Sequence, residues 1–197
     1  MKFGSLLGLG TLGLALIGIP LAAQEMTTTY GGQVTLSLPA GPLSSTDWLD
    51  GKVGGGVGLH ALIGFEGGHA IVPRFDYTYF KKSEDGVDRK VQMYQLGADY
   101  NYFLSKQVNS GPYVGGGVGV ASTKFELTGF GDSKSDTPTT VYGAASAGWM
   151  FTPHLGAELR YTWSRYKPDV TDFSPRGYTG KPTVDAPTIN ASLIVRL

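Results

Sequence analysis

From Thr188 to Leu197 (TINASLIVRL) the side chains alternate. Ile189, Ala191, Leu193, Val195 and Leu197 share one face, Thr188, Asn190, Ser192 and Arg196 share the other, and Ile194 is the one break. A period of two is a strand, here with one face in an apolar medium and one in a polar medium. The apolar face holds no Lys, Asp or Glu. Such a strand at the C-terminus predicts the closing strand of a transmembrane β-barrel.

The same alternation recurs upstream, giving eight segments. The first is Tyr30 to Pro39, with Val34, Leu36 and Leu38 opposite Gln33, Thr35 and Ser37. The second, Lys52 to Phe65, sets Val57, Leu59 and Ile63 against Gly56, Gly58 and His60. The third, Ala70 to Lys81, sets Ile71, Phe75, Tyr77 and Tyr79 against Arg74, Asp76 and Thr78. The fourth, Lys90 to Phe103, sets Tyr94, Leu96, Ala98, Tyr100 and Tyr102 against Gln95, Gly97, Asp99 and Asn101. Pro112 to Phe125, Thr140 to Phe151 and Leu155 to Tyr166 follow, and the eighth begins at Thr188.

Connections after the even-numbered segments are short, among them the Ser105–Gly111 turn. Those after the odd-numbered ones are mostly long and polar, including the charged stretch Lys82–Arg89. Outer-membrane barrels show that asymmetry, with short periplasmic turns and long external loops. A tilted crossing needs about 9 to 11 residues in the hydrocarbon, which these segments supply. Aromatic residues gather near the segment ends: Phe65, Tyr102, Phe103, Trp149 and Phe151 at one level, and Tyr77, Tyr79, Tyr161 and Trp163 at the other. Two such belts mark the headgroup regions. The expected fold is therefore all-β: an eight-stranded antiparallel up-and-down transmembrane β-barrel, closed because the bilayer core cannot solvate a sheet edge. A soluble barrel with inverted faces is disfavoured by these belts and by the sparse charge, 16% of residues.

Met1 to Ala23 reads as a secretory signal, with Lys2 its only charge and Leu6 to Leu21 apolar. The apolar run is about 16 residues, shorter than the roughly 20 that span a bilayer. Cleavage after Ala23 would leave residues 24–197 as one barrel domain in the bacterial outer membrane. The sequence has no Cys, so no disulfide scaffold is expected, and its formal charge of zero gives no reason to expect nucleic acid.

If the apolar faces meet lipid, the polar ones line a lumen. Arg74, Asp76, Asp99, Glu158 and Arg160 fall at similar depths and are expected to pair there, because confined charges must be paired or hydrated. Such a cluster is either a structural plug or a gate.

The glycine-rich segment Gly111 to Gly119 (GPYVGGGVG), the strand Leu155 to Trp163 (LGAELRYTW) and the alternating C-terminus resemble the small eight-stranded outer-membrane barrels of the OmpA transmembrane domain, OmpX/Ail and OmpW. This chain departs from them in ending on Leu197, where such barrels usually carry an aromatic residue that the assembly machinery reads. The resemblance implies outer-membrane lipids as partners and an extracellular ligand at the loops. The peptidoglycan-tethering role of OmpA is left out of that expectation.

Enzyme signatures are weak. Gly56 to Ala61 (GVGLHA) loosely matches a dinucleotide fingerprint, but a strand rather than a helix follows the glycines. Asn190-Ala191-Ser192 matches a glycosylation sequon inside a strand. His60, His69 and His154 are far apart, and no metal-ligand spacing occurs. No catalytic residue, metal or cofactor is expected. The first functional expectation is a structural or surface-interaction role through external loops, with Gly129–Thr139 and Lys167–Asp185 the candidates. The alternatives are a narrow channel for small or hydrophobic solutes, as OmpW would imply, and, more weakly, a lipid-modifying enzyme.

Overall fold

Alternation decides which way each side chain points, and backbone hydrogen bonding decides which strands are neighbours. In the computed structural model, residues 26–45, 49–84, 86–129, 132–166 and 184–197 are described. The expected signal segment Met1–Ala23 and most of the Lys167–Asp185 connection lie outside them. The strands are β1 (Thr27–Pro39), β2 (Gly54–Phe65), β3 (His69–Glu84), β4 (Val87–Phe103), β5 (Gly111–Gly129), β6 (Asp132–Asp136), β7 (Thr139–Met150), β8 (Leu155–Tyr166), β9 (Val184–Asp185) and β10 (Thr188–Arg196).

All pairings are antiparallel, in the order β10, β1, β2, β3, β4, β5, β7, β8, and β8 pairs with β10 to close an eight-stranded ring. β6 continues beside β5 above the start of β7, and β9 lies beside the end of β8. Each wall strand thus has two neighbours, and the ring leaves no open edge.

The registers fix the stagger. One circuit runs from Thr28 through Ile63, Ile71, Tyr100, Gly116, Ala145, Tyr161 and Ile189, and returns to β1 at Leu38, ten residues on. With strands about 4.8 Å apart and a rise of about 3.3 Å per residue, this stagger tilts the strands by roughly 40° and sets a backbone radius of about 8 Å. An interior of that width is filled by side chains.

Two expected loops are largely strand. Lys82–Arg89 forms a hairpin, with Lys82 opposite Arg89, Ser83 opposite Asp88 and Glu84 opposite Val87. Gly86, with φ 75°, lies at its turn. The stretch after Phe125 continues as strand to Gly129 and returns as β6. The charged residues lie on the two sides of hairpins rather than in irregular loops, so the wall rises further on the β3–β6 side.

The outward faces are apolar, as alternation requires. Leu36, Leu59, Leu96, Val118, Val141 and Leu159 stand exposed between the two aromatic levels. Ile194, the one break in the C-terminal alternation, points inward and is buried. Phe103 is a correction. It leaves the lower aromatic belt, points into the lumen and packs against Tyr113, with ring centroids 5.1 Å apart.

Candidate functional site: the lumen and its two rims

The lumen is filled in three layers. The lowest, towards the short turns, is apolar: Leu62, Ala70, Val72, Phe103, Tyr113 and Met150 form one buried cluster with Val108 packed against it. The uppermost is also apolar. Phe80, Val91, Met93, Ala121, Phe125, Tyr142 and Tyr166 line it, and Leu43, Leu49 and Ala186 from the external connections fill it.

Between them lies the charge layer, centred on Arg74. Its Nε donates to Asp76 Oδ2 at 2.8 Å, its Nη1 to Asp99 Oδ2 at 2.9 Å and Glu158 Oε1 at 3.1 Å, and its Nη2 to Gln33 Oε1 at 2.9 Å. Gln33 Nε2 in turn donates to Asp76 Oδ1 at 2.9 Å, and Tyr113 donates to Glu158 Oε2 at 3.0 Å. Arg160 grips Asp99 with both Nη atoms. The layer therefore ties together β1, β3, β4, β5 and β8, and brings all five lumen charges singled out in the sequence into one network. One further arginine, Arg196, is buried lower down, where its Nε donates to His60 Nε2 at 3.2 Å. The charge layer itself thus holds two arginines (Arg74, Arg160) against three carboxylates (Asp76, Asp99, Glu158), with Arg196 buried below it and Lys82 buried above it.

Glycine makes the room. A Cβ on Gly117 would collide with Asp99 Oδ1, and one on Gly58 with Asp76 Oδ1. The large polar side chain of one strand lies over the bare backbone of the next. A polar cavity of about 10 Å³, room for the centre of one water molecule, lies among Gln33, Thr35, Arg74, Asp76, Arg160 and Ser192. Arg160 Nε is buried without a partner among the described residues.

Above the charge layer the β1–β10–β8 wall carries rungs of hydroxyl and amide groups. Thr35 and Ser192 meet at 2.8 Å, Ser37 donates to Asn190 at 2.5 Å, and Thr162 and Thr188 meet at 2.5 Å. The opposite wall, from β3 to β7, mixes the buried polar side chains of Thr78, Gln95 and Thr123 with the apolar residues of the upper layer.

The histidines occupy three separate settings. His60 is in the lumen against Arg196. His69 Nδ1 meets Tyr100 Oη at 2.6 Å on the outer surface, and His154 Nδ1 meets the Arg196 carbonyl at 3.0 Å in a short turn. Among the described residues no group of His, Asp and Glu is arranged to hold a metal ion.

The aromatic belt residues sit at the strand ends. Trp149, Phe151, Tyr161 and Trp163 are exposed, and Phe65, Tyr77, Tyr79 and Tyr102 are half-buried against their neighbours. Tyr77 and Tyr94 lie 5.1 Å apart by ring centroid. Beyond the upper belt the outer surface turns charged. Lys81 bridges Asp88 at 3.2 Å, Lys90 and Lys124 share Glu126 at 2.9 and 3.0 Å, and Arg165 bridges Asp185 at 2.7 Å while lying over Trp163. These carboxylates lie outside the apolar band. Hydrogen bonds from Lys90 and Lys124 hold the Glu126 carboxyl below its usual range, and a hydrogen bond from Lys82 does the same for Glu84.

The sequence did not reveal the two apolar layers or the residues that stop the ends. Val72, Phe80, Val91 and Met93 have the parity of the inner face, and that parity was the available signal.

Comparison with known proteins agrees with this architecture. The chain is 28% identical over 128 residues to outer membrane protein A of Escherichia fergusonii, and equally to that of Shigella dysenteriae. The match covers 64% of this chain but only 36% of those relatives' length. The fold is that of Ail of Yersinia pestis, solved in complex with the heparin analogue sucrose octasulfate, at a TM-score of 0.60 and 17% identity over 88% of this chain and 99% of Ail. It also matches neisserial surface protein A at a TM-score of 0.54 and 14% identity, over 88% of this chain and 99% of that one. A family model described as the outer membrane protein beta-barrel domain matches residues 10–196. The chain therefore belongs to the outer membrane protein β-barrel domain family, and its place is the bacterial outer membrane.

Proposed function

We propose that this barrel works through its external surface and that its lumen is a structural plug. The observation that carries this reading is the filling of the lumen: a densely hydrogen-bonded charge layer between two apolar layers, with a polar cavity beside Arg74 that admits about one water molecule. A channel needs a connected aqueous path, and the apolar clusters above and below the charge layer stand against one. Hydrolysis of lipid is not part of this reading, since His60 is engaged by Arg196 inside the lumen.

The external face offers the raised β3–β6 hairpins, where Lys81 pairs with Asp88 and Lys90 and Lys124 share Glu126, and Arg165 on β8, paired with Asp185. A polyanionic ligand would bind there by competing with these carboxylates for the cations. The sulfated sugar bound by Ail makes sulfated glycans a reasonable first screen, alongside the lipid of the outer leaflet. The deciding experiment is single-channel recording of the refolded protein in a planar bilayer, after a heat-dependent shift in gel mobility has established folding. A silent, folded barrel is expected. Discrete conductance steps that change with Arg74→Ala would replace the plug with a gated channel.

A further inference from the structure

The connection between β4 and β5, residues 104–110, is the longest of the three at the periplasmic end. The β2–β3 connection spans 66–68 and the β7–β8 connection 151–154. It does not simply turn. Lys106 at φ 59°, Asn109 at φ 65° and Gly111 at φ 68° curl it back beneath the barrel. Ser105 sets the curl: its Oγ donates to the Ser110 carbonyl at 2.6 Å and accepts from the Gln107 amide at 3.3 Å. The curl delivers Val108 into the lowest apolar layer, where a Cβ on Gly64 would come within 2.8 Å of it. It also places Asn109 against two strands distant in sequence. Asn109 Nδ2 donates to Thr29 Oγ1 on β1 at 3.3 Å, and Asn109 Oδ1 accepts from Arg196 Nη1 on β10.

Arg196 is held on every side. Its backbone N–H donates to the His154 carbonyl at 2.9 Å, its carbonyl meets His154 Nδ1, and its guanidinium reaches His60 on β2 and Asn109 in the turn. This residue ends the strand that pairs with β1 to close the ring. From these contacts we infer that the β4–β5 connection is a periplasmic cork and that Arg196 is its latch, so that closing the barrel and stopping its inner mouth are one event. A charged side chain buried at the seam reaches its partners only when β10 is in register with β1. The cork is therefore seated by the last strand to be made. The cork rests on the reading of the lumen as a plug and is independent of what the external surface binds.

The absence of cysteine makes the test direct. Val72→Cys places a thiol of similar size in the lower apolar layer, and Ala121→Cys places one in the upper layer as a control. In proteoliposomes exposed to a charged, membrane-impermeant thiol reagent on the periplasmic side, both thiols should react slowly. Adding Asn109→Ala or Val108→Ser should speed labelling of the lower thiol at least tenfold and leave the upper one unchanged, with the heat-dependent gel shift retained. Arg196→Gln should do the same where it folds. Asn109→Ala decides the matter if Arg196→Gln does not fold, because it leaves the seam strand intact. Unchanged labelling of the lower thiol in a folded Asn109→Ala barrel would overturn the cork. Equal acceleration at both positions would also overturn it, since that marks general loosening.

Discussion

The charge layer and the apolar layers fill the same tube at different heights, yet they hold it together differently. In the charge layer one guanidinium serves four partners on three other strands and its own, so every bond depends on the others. In the apolar layers each side chain adds its own buried area, and no single contact decides the rest. The first arrangement fixes which strands face one another. The second supplies cohesion and excludes water. The charge layer is therefore brittle to single changes, whereas the apolar layers respond in proportion.

The largest effect should follow Arg74→Ala, which leaves Asp76, Asp99 and Glu158 buried without their common cation. Loss of one partner from a buried pair costs about 3–5 kcal/mol, and equilibrium urea unfolding in lipid vesicles would measure it. Combining Arg74→Ala with Asp99→Asn should cost clearly less than the two singles together, because neighbours in one network are not additive. Additive costs would show that these groups do not act as one network.

Next in size is Leu62→Ala in the lower layer, expected to cost about 2–4 kcal/mol by creating a cavity. Its effect should add to that of Phe80→Ala in the upper layer within about 0.5 kcal/mol, as distant sites do. Strong coupling between these two would show that the layers are not independent. Ser37→Ala removes one rung of the polar wall and leaves Asn190 without that bond, for about 1 kcal/mol by the same unfolding measurement.

The smallest effect lies at the rim. Glu126 has a lowered pKa in the folded protein, so its contribution is present above the unfolded carboxylate value and is lost as pH falls through the folded one. Its ties to Lys90 and Lys124 should open at a lower pH than that at which an ordinary glutamate titrates. Following the Glu126 carboxyl carbon by NMR would show this, and Glu126→Gln should leave bilayer insertion unchanged.

Much of this architecture was legible in the sequence, for a definite reason. Where a strand meets lipid on one face and polar groups on the other, period two is unmistakable, as in Leu155–Tyr166, whose bounds match β8. The five lumen charges could be placed together from parity and depth alone. Legibility failed where both faces of a strand are apolar. Val72, Phe80, Val91 and Met93 look inward with the same chemistry that looks outward, so the layers were invisible as a pattern. It failed again at Lys82–Arg89, where charge suggested a loop although Asp85-Gly86 is a hairpin signal in its own right. The inward turns of Leu43, Leu49 and Val108 leave no periodic trace, because they belong to connections.

The ten-residue stagger has a consequence for how the chain chooses among rings of the same strand number. A slip of one residue at the β1–β10 seam would exchange the faces and put Arg196 into lipid. A slip of two would keep every face correct, so alternation cannot forbid it. It would, however, change the stagger to eight or twelve and the radius by about 0.7 Å, altering the cross-section by roughly a sixth to a fifth. A narrower ring could not hold the aromatic and arginine side chains, and a wider one would leave them apart. The contents of the lumen thus act as a gauge: they admit one circumference and so select the pairing of strands that the surface pattern leaves undecided.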